Sequence, residues 1–547
     1  MHIKQVNIEN FKCFRGMFSI SLNPGLNIIV GENESGKSTI LEAIHLALTG
    51  VLNGKYLRNE ISQYLFNNEV VREYIAGLST CDPLPPPHIL IELFFDSTNL
   101  PLFEGDGNGT RRKGCGISFR IEFDADYQSE YEALVDSGEL SAIPIEYYTI
   151  SWKSFARSTV TARSIPIKSA LIDSSSNRYR NGSDIYISRI IRDDLNEKER
   201  VELAQAHRKM KETFKADESV KAINKRIRNK SVSKKTLEIS VDLSTQHSWE
   251  TTLMTYLDET PFHQIGKGEQ CIVKTNLALA HKKSEEANII LLEEPENHLT
   301  HTTLSQLIRS IQSKCEGKQV VISTHSSFVA NKLGLEHLIL LNNQSCCRLD
   351  SLTKDTQLFF KKLSGYDTLR LLLCSKAILV EGDSDELVVQ RAFMDNNDGQ
   401  LPIQEGVDVI SVGTAFLRFL EIASAIGKPV AVVTDNDGDV HRLQKKYEEY
   451  IDDKKKPGID ICYDPVVDEG PHLKIPGEMF NYNTLEPKLV KENGIKKLNA
   501  VLGKEFESEA VLHAYMKSNK TGCALKLFDT TEEIRFPKYI LDAVRQI

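Results

Sequence analysis

The stretch Gly31–Thr39, GENESGKST, fits the pattern G-x-x-x-x-G-K-[ST] at every fixed position. The apolar run Leu26–Val30 precedes it, and the helical pattern Ile40–Leu48 follows it. A strand, a glycine-rich loop and a helix in this order are the setting of a phosphate-binding loop. Glycines let backbone N–H groups turn toward a polyphosphate, and the helix N-terminus adds partial positive charge. The sequence therefore predicts a site for a nucleoside triphosphate.

Individual residues of this loop have predicted roles. Lys37 would reach the β- and γ-phosphates, and the Ser38 hydroxyl would ligate Mg²⁺. Asn33, Gly36 and Thr39 complete the predicted nucleotide-binding set. A chance glycine-rich turn is the alternative, and the flanking strand and helix patterns argue against it.

Length and composition describe a globular chain. A chain of 547 residues predicts two or three domains, and 41% hydrophobic with 26% charged residues is ordinary. No stretch approaches the roughly 18 unbroken apolar residues of a membrane helix. The start lacks the charged-then-apolar order of a signal peptide. Ten scattered cysteines without a C-x-x-C pair indicate neither a zinc site nor a disulfide framework, so we expect a cytoplasmic protein.

The chain has a net charge of −9, but one of its segments is strongly basic. Residues His207–Lys235 contain eleven Lys and Arg against three Asp and Glu. A local basic segment suits a phosphate backbone, although a solvated helix face explains it equally well. We interpret residues 160–245 as a helical insertion, with dimerisation, DNA contact or both as its role. Residues 42–80 also read as helical.

Two further apolar runs end in polar groups that suit nucleotide hydrolysis. Asn288–Leu299 contains four apolar residues followed by Glu293 and Glu294. Glu293 would hold Mg²⁺ through its water shell, and Glu294 would polarise the attacking water. Gln319–Thr324 is another apolar run, and it leads into His325, which would contact the γ-phosphate. A structural histidine is the alternative.

A second chemical centre lies in the last third of the chain. Ala377–Asp385 is a strand pattern that runs into an acidic turn, Val407–Gly413 is another strand pattern, and Pro429–Asp439 ends in D-x-D. Strands alternating with helices indicate a parallel sheet with acids at its C-terminal edge. Such acids suit Mg²⁺ or Mn²⁺. A solvated acidic turn is the alternative.

The nucleotide motifs together resemble the ABC-type ATPase head of the RecF/SMC class. The matching segments are Asn10–Arg15, Gly31–Thr39, Gly266–Gln270, Leu291–Pro295 and His325. In the signature loop, Ile265-Gly266 replaces an opening serine, and Glu293 stands where many members carry Asp. These departures bear on the rate of hydrolysis more than on nucleotide binding.

The strand–Glu–Gly and strand–DxD patterns resemble the Toprim fold. An ABC-type head followed by Toprim resembles the overcoming-lysogenisation-defect (OLD) family of ATP-dependent nucleases, which includes the Gabija nuclease subunit. The resemblance implies an α/β chain with an N-terminal ABC/RecF-like head and a C-terminal Toprim domain. The implied domains are ATPase parts at 1–159 and 246–358, the insertion at 160–245, and Toprim at 359–547.

The resemblance also implies site residues. Metal positions fall on Glu381, Asp385, Asp435, Asp437 and Glu486, with Asp439 and Glu386 as supporting groups. The family's late catalytic lysine falls on Lys520, with Lys517 as the weaker candidate. Glu381 or a metal-bound water would act as base, and Lys520 would stabilise transition-state charge.

The implied function is a nucleotide-regulated DNA endonuclease that uses ATP and Mg²⁺ or Mn²⁺. Its target would be double-stranded DNA, with phage DNA as one candidate. We expect a homodimer or higher homo-oligomer, a possible helicase, RNA or protein partner, and no membrane. The rivals are a RecF/SMC-like DNA-repair ATPase without nuclease activity, a primase-like polymerase, and a toxin-like effector silenced by a partner.

Overall fold

The structure is a computed structural model of the 547-residue chain. It describes residues 1–53, 55–57, 61–78, 84–97, 99–138, 140–173, 179–180, 183–184, 195–228, 238–240, 255–281, 284, 286–342, 345–471, 473 and 479–547. The chain forms two compact units, one of Met1–Ile29 with Gly36–Thr324 and one of Val30–Ser35 with His325–Ile547. No helix among the described residues has the length and apolar character needed to cross a membrane.

The first unit is built on an antiparallel and a parallel sheet. Its strands are β1 (Ile3–Glu9), β2 (Met17–Ser21), β3 (Leu26–Gly31), β4 (Val51–Leu52), β5 (Lys55–Tyr56), β6 (Ile89–Phe95), β7 (Glu104–Gly105), β8 (Gly114–Phe123), β9 (Tyr148–Ser154), β10 (Ser169–Asp173), β11 (Tyr179–Arg180), β12 (Ser183–Asp184), β13 (Tyr256–Leu257), β14 (Thr260–Pro261), β15 (Ile289–Glu293) and β16 (Gln319–Ser323). The antiparallel order is β2-β1-β6-β8-β7, and β9 also pairs with β8. In the other sheet β10, β15, β16 and β3 pair in parallel, in that order.

The parallel sheet places acids at one edge. The central residues of β15 and β16 are buried apolar side chains, as expected for parallel strands covered on both faces. Because the strands are parallel and in register, Asp173 of β10 lies opposite Glu293 of β15, and Glu293 lies opposite Ser323 of β16. The polar residues at the strand ends therefore meet where the first helix begins.

The helices of the first unit are α1 (Lys37–Thr49), α2 (Asn68–Gly77), α3 (Gln128–Asp136), α4 (Glu197–Ala216), α5 (Glu218–Arg228), α6 (Lys267–Ala280) and α7 (His301–Lys314). The prediction of a helix over 42–80 is wrong in its middle. Helix α1 ends because Gly50 adopts a left-handed φ of 69°, and the β4–β5 hairpin follows before α2.

The predicted helical insertion of residues 160–245 is only partly helical. Its early stretch forms β10, which belongs to the parallel sheet through its pairing with β15. Helices α4 and α5 do follow, and the last turn of α5 carries the basic residues Lys225, Arg226 and Arg228. Lys230, Lys234 and Lys235 of the basic segment lie outside the described residues. The domain boundaries inferred from the sequence stay predictions.

The second unit contains a parallel sheet and a hairpin. Its strands are β17 (Leu338–Asn342), β18 (Ser345–Arg348), β19 (Lys376–Val380), β20 (Val407–Ser411), β21 (Val430–Val433) and β22 (Ile459–Cys462). The order of the four-stranded parallel sheet is β20-β19-β21-β22. Its helices are α8 (Ser327–Leu333), α9 (Lys354–Lys362), α10 (Thr368–Leu373), α11 (Asp383–Asn396), α12 (Phe416–Ile426), α13 (Val440–Lys446), α14 (Leu485–Leu502), α15 (Glu509–Ser518), α16 (Lys520–Asp529) and α17 (Lys538–Gln546).

The apolar core of this unit packs the C-terminal helices α14, α16 and α17 near the strand ends that carry the acids. Ile378, Val380 and Val433 from the strands pack in one apolar cluster with Leu489 of α14 and Ile540 of α17. Helix α17 contacts β21 and β22, and α16 contacts α11 and α14. Helix α14 is interrupted at Gly494, whose φ of 73° and ψ of 161° are not helical. Residues far apart in sequence are thereby placed around the ends of β19 and β21.

Candidate active sites

The nucleotide loop enters α1 through a position that only glycine fits. Gly36 has a φ of 102°, and a Cβ there would lie 2.6 Å from Cζ of Phe14. Lys37 and Thr39 follow as buried residues, and Lys37 is only 5% exposed. Burial lowers the pKa of Lys37, while the charges of Glu294 and Glu296 act in the opposite direction. The predicted phosphate-binding lysine thus lies near the predicted catalytic acid.

The two predicted Mg²⁺ positions of the first unit are in direct contact. The Ser38 hydroxyl donates a hydrogen bond to the Glu293 carboxylate. Burial is the main reason that the pKa of Glu293 is raised, and the negative charges of Asp173, Glu42 and Glu294 add to it. A cation would relieve this repulsion, so the donor set of this position fits Mg²⁺.

Glu294 occupies a left-handed backbone position directly after β15. Its φ is 41°, a conformation that few residues other than glycine adopt. Its N–H donates to the Ser323 carbonyl at 3.0 Å, and its Oε2 accepts a hydrogen bond from Asn297 Nδ2 at 2.7 Å. Such backbone strain clusters at functional sites. Glu294 is thereby held in one orientation.

Two members of the predicted nucleotide set belong to the other unit. Asn33 lies in Val30–Ser35 and His325 begins the segment His325–Ile547. Their contacts with a nucleotide stay predictions.

The signature-loop segment is fixed by two residues. Gln270 is buried, and its Nε2 donates to the carbonyls of Phe262 at 3.0 Å and Ile265 at 2.9 Å. A Cβ at Gly268 would lie 2.5 Å from the backbone oxygen of His298. Glycine is therefore required for the close approach of α6 to the turn that follows β15.

Asp435 is held by two hydrogen bonds from elements far away in the sequence. Its Oδ2 accepts a hydrogen bond from the Leu485 N–H at 3.1 Å, and its Oδ1 accepts one from the Tyr539 hydroxyl at 3.3 Å. Burial raises the pKa of Asp435 well above its ordinary value, and the charges of Asp385 and Glu486 raise it further. Three of the predicted metal ligands, Asp385, Asp435 and Glu486, are thus close enough for the charges of two to raise the pKa of the third.

Asp385 and Glu486 come from the first turns of two helices. The Gly382 N–H donates to Asp385 Oδ2 at 3.1 Å, and burial raises the pKa of Asp385 to about 6. Glu486 is 6% exposed, and Lys520 Nζ lies 3.2 Å from its Oε1. Burial alone would lower the pKa of Lys520, yet the facing carboxylates, led by Glu486, raise it overall. The predicted catalytic lysine therefore joins these acids, whereas Lys517 lies in the last turn of α15.

Glu381, Asp437 and Asp439 line a cavity of about 420 Å³ together with Asp435. Asp437 has a φ of 49°, and its Oδ1 accepts a hydrogen bond from Asn481 Nδ2 at 3.2 Å. The Asp439 side chain caps α13 by accepting from the Arg442 N–H at 2.9 Å. The other predicted supporting group, Glu386, instead lies 3.5 Å from Arg370, which also forms a bidentate pair with Asp408.

The chemistry of the acids fits a hard divalent cation. They offer carboxylate oxygens only, and the repulsion that Asp385 and Glu486 exert on Asp435 is what a cation would offset. As the described side chains stand, no three His, Cys, Asp or Glu residues are arranged so as to hold an ion. The metal positions therefore stay predictions.

Several residues of these sites were missed by sequence reasoning. Asp173 ends β10 beside Glu293, and the acid at the end of the apolar strand SALID was the signal for it. Tyr539 and the cavity residues Arg442 and Lys446 carry no motif. Lys488 is 3% exposed. Its Nζ forms salt bridges with Asp464 Oδ2 at 2.5 Å and with Asp468 Oδ2 at 2.7 Å.

Comparison with known families matches both parts of the chain. The family model AAA_23, described as an AAA domain, matches residues 5–316. The model described as "Overcoming lysogenization defect protein-like, TOPRIM domain" matches residues 372–437. The two matches cover the nucleotide loop and the acidic strand ends.

Individual relatives are similar over short stretches. The chromosome partition protein Smc of Coxiella burnetii is 30% identical over 132 residues, which is 24% of this chain and 10% of that protein. The DNA replication and repair protein RecF of Clostridium botulinum is 33% identical over 76 residues, 14% of this chain and 21% of RecF. The chain thus spans about a tenth to a fifth of the length of these relatives. A solved Smc head bound to the C-terminal winged-helix domain of ScpA has 16% identity and a TM-score of 0.33, covering 64% of this chain and 99% of that one.

Proposed function

Because the chain belongs to the OLD family, in which an ABC-type ATPase is fused to a Toprim domain, we propose that it is a nucleotide-regulated, metal-dependent DNA endonuclease. The matched domains already support a nucleotide-hydrolysing enzyme of nuclease type. The observation that carries the finer proposal is the placement of Lys520 beside Glu486, with Asp385 and Asp435 near enough to act on its charge. An anionic backbone is the substrate that a cation and metal-binding acids of this kind would take.

The residues that would hold the metal are those at the strand and helix ends. They are Glu381, Asp385, Asp435, Asp437 and Glu486 in the second unit, and Ser38 with Glu293 for the nucleotide's Mg²⁺. When bound, divalent ions supply charge stabilisation for the attacking and leaving oxygens of a phosphodiester. The burial of Glu486 limits the access of bulk water to its carboxylate and strengthens electrostatic interactions there.

The protein's own side chains divide the remaining work. Lys520 Nζ, paired with Glu486, is available to stabilise negative charge on the phosphate oxygens. Glu381, at the exposed rim of the cavity, would accept the proton of the attacking water. Tyr539 and the Leu485 N–H keep Asp435 in one orientation. In the first unit, Lys37 would bind the nucleotide phosphates, and Glu294 would orient the water that attacks them.

The biological setting follows from the family resemblance. A nuclease controlled by nucleotide occupancy suits antiphage defence, in which cleavage of double-stranded DNA must be restrained until infection. The basic last turn of α5 supports a DNA contact, and ATPase heads of this kind support a homodimer. Nucleotide occupancy is the proposed trigger, and a helicase, RNA or protein partner is a second candidate for it.

Cleavage of supercoiled DNA tests the proposal. The wild type should nick the plasmid with Mg²⁺ or Mn²⁺, and Asp435→Ala should reduce nicking by at least about 100-fold, the scale seen when key electrostatic groups are lost. ATP binding should be unchanged, because Asp435 lies outside the nucleotide loop. Glu507→Ala, which removes an exposed acid of the same unit, is the matched control.

Two outcomes would count against the proposal. Nicking that persists in Asp435→Ala would overturn the site assignment. A wild type that binds ATP but cleaves no DNA with either metal, with or without ATP, would favour the DNA-repair ATPase without nuclease activity.

A further inference from the structure

The cavity of the second unit joins the predicted metal-binding acids to two cations. Its lining includes Glu381 and Asp437 from the turns after β19 and β21, and Arg442 and Lys446 from α13. Its volume of about 420 Å³ lies within the range of sites that enclose small ligands, roughly 300–1,000 Å³. The acids and the cations therefore face one ligand-sized space.

The two cations share one helix, and the Lys446 ammonium contacts two aromatic rings. Arg442 and Lys446 are four residues apart on α13, so they lie on the same face of the helix. The Lys446 ammonium lies 4.9 Å from the ring centroid of Tyr447 and 5.2 Å from that of Phe416, and both rings are buried. The Asp439 cap fixes the start of the helix beside the acids. Arg442 and Lys446 thus form one side of the cavity that the acids also line.

Arg442 and Lys446 differ from Lys520 and Lys488 of the same unit in their salt bridges. Lys520 and Lys488 form salt bridges with acids. Within the part of the chain that the structure describes, neither Arg442 nor Lys446 has a carboxylate within 4 Å. Cations that line a cavity without a salt-bridged carboxylate are suited to an anionic ligand, for which charge-assisted hydrogen bonds are strong.

We propose that Arg442 and Lys446 bind a phosphodiester group of the DNA next to the one that is cleaved. Lys520 is grouped with Glu486, Asp385 and Asp435, whereas the acids that act on Lys446 are Glu381 and Asp437. The two ends of the acidic cluster therefore each have a cation, and neighbouring phosphates of one strand would occupy them. This subsite positions the strand and carries no sequence preference of its own. The inference rests on the proposed nuclease function.

DNA binding measured without cleavage is the first test. Ca²⁺ replaces Mg²⁺, and the affinity for a short duplex is measured against salt concentration. Loss of one phosphate contact lowers the slope of log K against log[salt] by about 0.9 in magnitude. The double variant Arg442→Gln/Lys446→Gln should show this loss, and Lys446→Arg should keep the wild-type slope. Lys445→Gln, an exposed neighbour outside the cavity lining, should also keep it.

Cleavage by the same variants is the second test. The double variant should raise KM about tenfold, the effect expected for lost hydrogen bonds to a charged group, with a smaller change in kcat. Thermal unfolding of each variant should match the wild type, which excludes misfolding as the cause.

The outcomes separate this inference from the nuclease proposal. A lowered salt slope without any wild-type cleavage would support the subsite and count against the nuclease. Wild-type cleavage with an unchanged slope and KM in the double variant would overturn the subsite alone. A wild type that neither binds nor cleaves DNA would overturn both.

Discussion

The Tyr539 hydroxyl donates a hydrogen bond to Asp435 Oδ1 at 3.3 Å, although 104 residues separate the two in sequence. Asp435 follows the central strand β21 by two residues, and Tyr539 lies on α17, which packs on β21 and β22. The other Asp435 oxygen accepts from the Leu485 N–H at 3.1 Å. One carboxylate oxygen is thus oriented by the residue before the predicted ligand Glu486, and the other by Tyr539, which belongs to no recognised motif.

Tyr539→Phe should impair the nuclease without unfolding it. The substitution keeps the buried ring and removes one hydrogen bond to a charged group, so a loss of about tenfold to a hundredfold in kcat/KM is expected. Because that hydrogen bond favours ionised Asp435, its loss should shift the acid limb of the pH–rate profile to higher pH. The profile is measured with Mn²⁺. Tyr515→Phe on α15 is the control, and an unshifted profile in Tyr539→Phe would argue against this positioning role.

Lys488→Met should destabilise the second unit strongly. Lys488 is buried and pairs with both Asp464 and Asp468, so its removal takes the lysine from Asp464 and leaves Asp468 with the exposed Lys491. Breaking a buried pair costs about 3–5 kcal/mol in the free energy of unfolding. Lys491→Met is the matched control, since Lys491 also pairs with Asp468 but is 53% exposed and should contribute under about 1 kcal/mol. Equal losses in chemical denaturation would contradict the distinction.

The stability provided by Asp468 should depend on pH. Burial acts to raise its pKa, but hydrogen bonds from Lys488 and Lys491 lower it below the ordinary value of 3.8. A lowered folded pKa gives stability that is fully present above pH 3.8 and is lost as the pH falls through the folded value. Asp468→Asn should therefore be less stable than wild type at pH 7, and the difference should shrink below pH 3.8. A difference that stays constant from pH 7 to pH 3 would show that ionisation of Asp468 does not matter.

Gly268→Ala should disturb the nucleotide site through backbone contact. The new Cβ would lie 2.5 Å from the His298 oxygen, so α6 and the turn after β15 must separate at a cost of about 1–3 kcal/mol. We expect reduced ATP hydrolysis with nucleotide binding retained. Gly266→Ala places its Cβ in open space and is the control. Hydrolysis at the wild-type rate in Gly268→Ala would rule out this close approach as a requirement.

Local patterns predicted which polar residues follow the buried strands, since each strand and its polar end are contiguous in sequence. The loop before Lys37 and the acids after β15, β19 and β21 follow directly from apolar strands and glycine positions. The family matches confirm the predicted ABC-type ATPase followed by Toprim. The roles of individual site residues stay predictions, although the salt bridge with Glu486 favours Lys520 over Lys517.

The remaining groups could not be predicted because tertiary packing brings them to the site. Tyr539 reaches Asp435 only through the packing of α17 on the sheet, and Asp173 reaches Glu293 only through strand pairing. The strand β10 was hidden within a stretch that reads as polar and turn-rich, next to strongly helical charged sequence. The polar composition of the surrounding residues hid the five residues of β10, Ser169–Asp173, which pair in the parallel sheet.

The dependence of Asp435 on α17 affects when this site forms during translation. Ribosomes add roughly 5–20 residues per second, so about 5–20 s pass between the synthesis of Asp435 and that of Tyr539. Until then the nascent chain contains the D-x-D turn without the hydroxyl that orients its first carboxylate. The ribosome-bound chain therefore carries an incomplete form of the proposed nuclease site, and truncated translation products that end before α17 would lack the Tyr539 hydroxyl.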